Sequence, residues 1–281
     1  MANSLVAPVL RSVNRLRVRA GCLTGLDFLW LEITGRCNLA CRHCYADSGP
    51  HLPLTERMAV PDWHRVMNEA RAEGCRRVQF IGGEPTLHPD LPALLEHAAG
   101  AGFREREVFT NATLVRTELV RIFRDFGVRV HFSFYSHDAA VHDDICGRPG
   151  SFERTVEGVR RLVGHSVEVS AGIIVLPQNA GHESETKTLL KRLGVRRVDV
   201  DRVRGVGRGG TFVAGAALDG ELCGQCWSGK LCVDSSGDAH PCVFSRSTTV
   251  GNVFETSVGD IAAGARLQAF RRNMFLGLQG G

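Results

Sequence analysis

LDFLWLEITGRCNLACRHCYADSGP, residues 26–50, sets an apolar run directly against three cysteines within eight residues. The run LDFLWLEIT (26–34) is short and rich in large apolar residues, and it reads as a buried strand. Cys37, Cys41 and Cys44 follow in the loop that leaves it. A disulfide would use two of these thiols and leave the third over. A zinc ion would need a fourth ligand from elsewhere, with Cys75 and Cys22 as candidates. A third solution uses three protein ligands and keeps one coordination position open. On this loop alone all three solutions stand.

The rest of the chain narrows the setting. Its 281 residues, 43% hydrophobic, suffice for one large α/β domain or one domain plus a small appendix. The net charge is +4, carried by scattered arginines. The nearest thing to a basic run, RSVNRLRVR (11–19), has no interleaved aromatics and reads as a solvated tail, so no nucleic-acid partner is expected. No stretch approaches the ~18 apolar residues of a membrane span, and the N-terminus lacks the pattern of a signal peptide. The expected location is therefore the cytoplasm, where thiols stay reduced and clustered cysteines more often bind metal or do chemistry. Ten cysteines in such a chain need that kind of explanation.

Outward from the first strand, apolar runs alternate with helical patterns. Strands are expected at 76–85, 105–111, 128–136, 166–176 and 195–204. Helices are expected at 60–74, 91–102, 117–127, 151–164 and 183–194, the first opened by Pro61 and Asp62 and closed by Gly74. Residues 137–150 read as a loop. About six β–α alternations imply a parallel sheet with crossover helices, and six are too few for a closed eight-fold barrel. The expected fold is α/β, a partial (β/α)6 TIM-like barrel over residues 25–210, after an N-terminal lead over 1–24. Past Gly205 the texture turns glycine-rich and four cysteines follow, so residues 211–281 are expected to form a small cysteine-rich domain.

In parallel α/β folds, ligands bind at the C-terminal ends of the strands, which puts Cys37, Cys41 and Cys44 at the mouth. Thiolates are soft ligands, suited to iron–sulfur clusters or zinc. The CxxxCxxC spacing, with His43 just before the last cysteine, resembles the signature of the radical S-adenosylmethionine (SAM) superfamily. The resemblance implies a 4Fe–4S cluster on Cys37, Cys41 and Cys44, with SAM on the open iron. It also implies reductive cleavage of SAM to a 5′-deoxyadenosyl radical that abstracts a substrate hydrogen. IGGEP (81–85) matches the motif that holds the SAM amino group, through the backbone of Gly82 and Gly83 and the carboxylate of Glu84. FTNA (109–112) falls where the family often has Thr-Asn-Gly, so Thr110 and Asn111 join the expected SAM contacts and Ala112 replaces a glycine. Ser133, at the end of the fourth strand, is a further expected contact. DRVRGVGRG (201–209) resembles the arginine- and glycine-bearing stretch after the sixth strand.

LCGQCWSGKLCVDSSGDAHPCVF (222–244) carries Cys223, Cys226, Cys232 and Cys242. By itself it reads slightly better as a zinc ribbon. In context it resembles the auxiliary-cluster region, SPASM or its shorter twitch version, of radical SAM enzymes. No cysteine follows Cys242, so one second, auxiliary 4Fe–4S cluster held by all four thiols is expected. With four protein ligands its role would be electron transfer.

Of the remaining thiols, Cys22 reads as incidental and Cys75 as a small buried hydrophobe. Cys146, in the loop after the fourth strand, is a candidate catalytic residue, a hydrogen-atom donor of the kind that epimerases of this superfamily use. A harmless loop substitution is the other reading. Asp138, His142, Asp143 and Asp144 nearby could handle a proton but read more simply as a solvated acidic loop. Relatives with this layout crosslink or epimerise ribosomally made peptides, which is the expected reaction here; oxidation or epimerisation of an aminocyclitol or amino sugar is the alternative. The resemblance also implies a reductant such as ferredoxin or flavodoxin. The lead being short, a leader-peptide-binding domain would come from a separate protein. A degenerate, non-catalytic scaffold is the reading from a different class, and the intact motif set argues against it.

Overall fold

The computed structural model describes residues 25–53, 56–213, 221–223 and 225–277. The expected lead, with Cys22, lies outside the described residues. Six parallel strands alternate with helices in the order the pattern implies. They are β1 (Phe28–Thr34), β2 (Arg77–Gly82), β3 (Glu105–Thr110), β4 (Val128–Phe134), β5 (Val169–Val175) and β6 (Arg197–Arg202). The crossover helices are α1 (Val60–Ala72), α2 (Leu91–Gly100), α3 (Thr117–Asp125), α5 (Ser151–Gly164) and α6 (Glu183–Arg192). Helix α1 shows why such segments are helical. Trp63, Val66, Met67 and Ala70 fall at helical spacing and are buried, and the Asp62 carboxylate accepts the Ala59 N–H at its start.

One element departs from expectation. Residues read as a loop form α4 (Ala139–Cys146), whose N-terminus is capped by the Asp138 carboxylate accepting from Ala140 and Val141 N–H. An eight-residue helix with only two turns has too short a period to stand out from its acidic surroundings. The acidic residues are spent structurally. Asp143 accepts from Ser151 Oγ and Phe152 N at the start of α5, Asp144 pairs with Arg42, and His142 is buried among Phe134, Tyr135 and Phe152.

The sheet has nine strands in the order β6-β5-β4-β3-β2-β1-β7-β8-β9, where β7 (Lys230–Asp234), β8 (Asp238–His240) and β9 (Gly251–Asn252) come from the cysteine-rich part. Strand β7 runs parallel to β1, with Trp30 beside Cys232 and Glu32 beside Asp234. Because β7 occupies the free edge of β1, β6 has no strand to close upon, and the barrel stays open. The sheet thus runs on past the boundary expected near residue 210. Helices α7 (Val258–Ala263) and α8 (Ala265–Gly277) end the described chain; Glu69 of α1 accepts the Val258 N–H at the start of α7.

The core lies between the convex face of the sheet and the helices. Leu29, Leu31, Ile33, Phe80, Val108, Val130 and Phe132 meet Trp63, Met67, Leu94, Val120, Phe123 and Val159 there. Each large side chain so buried contributes roughly 1.5–3 kcal/mol. The alternate strand residues face the concave side, and there the composition changes to polar and aromatic.

Candidate active site

The concave side encloses a cavity of about 410 Å³. Cys37, Cys41, His43 and Cys44 line its mouth together with Gly82, Gly83, Thr110, Asn111, Ser133 and Tyr135. All but Tyr135 are residues the sequence singled out, and the C-terminal ends of β1 to β4 bring them together.

The cysteine loop is a short segment without regular structure, held from outside. From the β2 turn, Gly83 N–H donates to Thr34 O at 2.7 Å, and a Cβ on Gly83 would lie 2.2 Å from Arg36 O. Gly82 has φ +140°, and its Cβ would lie 2.4 Å from Thr34 O. Only glycine permits this approach. From α4, the carbonyls of Ile145 and Cys146 accept Arg42 N–H and Ala40 N–H. Beyond β6, Arg208 donates through Nε to Cys41 O at 2.9 Å and through a terminal nitrogen to Ser48 O at 2.7 Å. Beside it, Gly207, at φ +57°, passes so close that a Cβ would lie 2.5 Å from Cys44 O. Neither Arg208 nor Gly207 is marked out by the residues of the loop; their signal lay in the VRGVGRG stretch, without an assigned partner.

Glu84, expected to contact SAM directly, is engaged here by the chain itself. It is completely buried behind the cavity wall. Its carboxylate accepts from Thr86 N and Oγ1, from Thr110 Oγ1 at 2.6 Å and from Asn111 N at 2.7 Å. Burial pushes its carboxyl up, opposed by these bonds. Glu84 therefore fixes the end of β3 and leaves Thr110 and Asn111 to face the cavity. Asn111 Nδ2 in turn donates to Asn38 Oδ1 and reaches Cys37 Sγ at 3.8 Å. Ala112 holds φ +58°, a left-handed conformation that favours glycine.

Cys146, expected in a loop, sits in a helix. It ends α4, is 1% exposed, and packs behind the loop against Cys41 rather than on the cavity wall. A hydrogen-atom donor must reach the substrate, and this thiol does not border the chamber. Cys75 is buried as expected, with Sγ donating to Arg77 O.

The donor set fits a cluster. Burial pushes the Cys37 and Cys44 thiols up, and a hydrogen bond to Cys146 together with burial does the same for Cys41. Three soft donors so placed ionise readily only with a cation among them, and Leu39 N–H and Asn111 Nδ2 already point at Cys37 Sγ. His43, beside them, packs edge-on to Tyr135 at 4.9 Å, and burial and the Arg208 charge hold its imidazole neutral, down to about 4.

In the second set, Cys226 and Cys242 are buried with sulfurs 3.3 Å apart, and Cys223, exposed, is hydrogen-bonded to Cys226. Cys232 is buried one strand over, on the β7 face shared with Glu32 and Asp234. Among the described residues no three His, Cys, Asp or Glu side chains gather as a single metal ion would require. Between the two sets lie Tyr45, whose hydroxyl donates to Glu32 at 3.1 Å and whose ring meets Phe244 edge-on, and the Glu32–Arg246 ion pair.

Sequence reading missed the cavity's deeper wall: Trp30, Gln79, Glu107, Phe109, His131, Ile174, Arg197 and Phe244. The available signal was period-two alternation, which puts all of these except Phe244, which follows β8, on one face of β1 to β6.

An open α/β barrel with three cysteines at the mouth and a cysteine-rich extension of its sheet defines a cluster-binding class of protein. The sequence model of the radical SAM superfamily matches residues 31–190, and that of an iron–sulfur cluster-binding domain, SPASM, matches residues 223–278. The chain belongs to the radical SAM superfamily, enzymes whose cofactors are a 4Fe–4S cluster and SAM, and its C-terminal part is the kind that carries auxiliary iron–sulfur clusters. It is similar to the antilisterial bacteriocin subtilosin biosynthesis protein AlbA of Bacillus subtilis, 25% identical over 82% of this chain and 58% of that protein. An AdoMet-dependent heme synthase of Methanosarcina barkeri is 31% identical over 63% of this chain and 51% of that protein. The chain thus spans about half the length of the curated relatives it matches. Among solved structures, Streptococcus suis SuiB bound to S-adenosylmethionine superposes with a TM-score of 0.75 at 16% identity, over 97% of this chain and 74% of that one. SuiB has also been seen bound to its precursor peptide SuiA. Among the described residues no helix is long and apolar enough to cross a membrane.

Proposed function

We propose that this protein matures a ribosomally made peptide by hydrogen abstraction, with crosslinking or epimerisation as the outcome. The observation that carries it is the convergence of Cys37, Cys41 and Cys44 with the Gly82–Gly83 turn on the mouth of one deep cavity. Bound there, the cluster and SAM supply a 5′-deoxyadenosyl radical. The chain's own residues do the rest. The three thiols hold the cluster. The backbone of Gly82 and Gly83, with Thr110, Asn111, Ser133 and His43, cradles SAM, and Glu84 positions Thr110 and Asn111. The large apolar side chains of the wall, Trp30, Ile81, Phe109, Ile174 and Phe244, help exclude water and stray hydrogen donors from a primary radical. Cys223, Cys226 and Cys242, with Cys232 approaching from β7, hold an auxiliary cluster. An external reductant such as ferredoxin or flavodoxin supplies electrons. The peptide assignment draws support from AlbA, named for bacteriocin biosynthesis, and from SuiB with its precursor peptide.

Anaerobic reconstitution should load roughly eight irons per chain, four for each cluster, and dithionite should then drive SAM to 5′-deoxyadenosine. Coexpression with short reading frames that flank the gene should yield a peptide that has lost two hydrogens, or one that gains deuterium in heavy water. Iron loading and SAM cleavage with no such peptide change would overturn the peptide assignment; zinc in place of iron would overturn the whole reading.

A further inference from the structure

The deeper wall of the cavity carries a polar group that the SAM site does not use. Gln79, Glu107 and Thr110 relate to the mouth by strand geometry: Gln79 and Glu107 each lie three residues before the strand's last residue, about 10 Å deeper. Gln79 stands beside Glu107 in register and donates to its carboxylate through Nε2. His131 of β4 is the diagonal neighbour of Glu107 on the same face, because Glu107 stands beside Arg129. Its Nδ1 is 2.8 Å from Ser170 Oγ, and with Nδ1 donating there, Nε2 is left as an acceptor. No other residue among those described bonds Nε2. Gly172 keeps the space beside it open, since a Cβ there would lie 3.3 Å from Nε2.

The charges of the wall are otherwise satisfied. Arg197 pairs with Asp199, Asp201 with Arg204, and Arg202 with Glu221. Arg129, beside Glu107, is engaged by Glu105. Among the described residues, Glu107 is the one charged side chain lining the cavity that has no ion pair. A carboxylate with no ion pair of its own, reached only by the charges of Arg129 and Arg197 that other carboxylates already engage, lies beside a neutral acceptor among Trp30, Ile81, Phe109 and Ile174, and is complementary to a compact group with several donors and a positive charge.

We infer that Glu107 and His131 form a recognition subsite for a primary ammonium group of the substrate. The ammonium donates to the Glu107 carboxylate and to His131 Nε2, and Gln79 orients the carboxylate. This rests on the reading of the cavity as the substrate chamber and says which substrate group is held there. The same chemistry could come from a lysine side chain of a peptide or from an amino sugar.

The test is anaerobic calorimetric titration of the iron-loaded, SAM-bound protein. The probes are acetyl-Ala-Lys-Ala-amide, its Nε-acetylated counterpart, glucosamine and N-acetylglucosamine. At least one free amine should bind at least about tenfold tighter than its acetylated counterpart, the size of one charge-assisted hydrogen-bonded contact. Glu107→Gln, with iron content and visible absorption matching the parent, should bring that ratio to about one. Gly172→Ala, which crowds Nε2 without touching Glu107, should reduce it. Equal affinities for amine and acetylated probes in the parent protein, or an undiminished ratio in Glu107→Gln, would overturn the subsite. If Glu107→Gln fails to load iron, the parent ratio and Gly172→Ala decide. A glucosamine that outbinds the lysyl peptide supports the subsite while overturning the peptide assignment, and the reverse order supports both.

Discussion

The two thiol sets are built on opposite principles. Residues 37–44 have little structure of their own and are clamped by the β2 turn, by α4 and by the segment after β6. The second set is built around a hairpin of the sheet: Cys232 lies in β7, Cys242 follows β8 across a turn closed by Gly237 at φ +85°, and Cys223 and Cys226 come just before β7. The first set faces a cavity, whereas in the second Cys226 and Cys242 turn their sulfurs on one another. A site that must admit a ligand is held from its periphery, whereas one that need only hold its own group can be part of the scaffold.

Breaking the clamp should separate the two most sharply. Gly83→Ala forces a methyl against backbone carbonyls that cannot yield. We expect the reconstituted iron to fall by about half, from eight to four, with loss of SAM cleavage while the second cluster's spectrum survives. Equal loss from both sets would show that they are not independently held.

The converse variant attacks the junction. Glu32 is 4% exposed and paired with Arg246, so Arg246→Met leaves a buried carboxylate facing Cys232 and Asp234. Destabilisation of about 3 kcal/mol is expected in denaturant melts. The double variant Glu32→Gln/Arg246→Met should recover most of it, and no recovery would mean that Arg246 acts by packing alone.

The clamp should also respond to pH. His142, 1% exposed on the buried face of α4, is held down to about 4 by burial, against an ordinary value near 6.5. Between those values the unfolded chain binds the proton and the folded chain does not. Stability is therefore complete above about pH 6.5 and declines as the pH falls toward 4, by up to about 3 kcal/mol. His142→Phe should flatten that part of the urea-melt profile, and an unchanged slope would assign it to other groups.

The smallest effect concerns Ala112, which holds φ +58° next to the Asn111 that reaches toward Cys37. Ala112→Gly relieves about 1 kcal/mol of backbone strain, partly offset by the greater freedom of glycine in the unfolded chain. A gain of roughly 0.5 kcal/mol in thermal melts is expected; a loss would mean that the methyl packs more than it strains.

Much of the site was legible because its chemistry is local. Three thiols at CxxxCxxC, a Gly-Gly-Glu-Pro turn and a Thr-Asn pair each sit at the end of an apolar run, where a parallel sheet gathers its loops. The surroundings of Glu84 and Cys146 were not legible for one reason: a residue type announces what it could do, and whether it faces a cavity or a packed interior depends on neighbours far along the chain. Thr110 and Asn111 are remote in sequence from Glu84, yet they consume its carboxylate. Cys146 lies on a helix too short to be seen in the pattern.

By itself, the sequence determined the alternation of strands and helices, the parallel sheet and the family, since hydrophobic period and motif spacing are local quantities. Only the tertiary structure decided that β7 takes the edge of β1 and keeps the barrel open. It alone showed that Gly83, Arg208 and α4 grip one loop from three directions, and that Glu107 faces the chamber without an ion pair of its own. Those outcomes depend on which edges, carbonyls and charges meet in space, and pairing of that kind is settled only when the whole chain has packed.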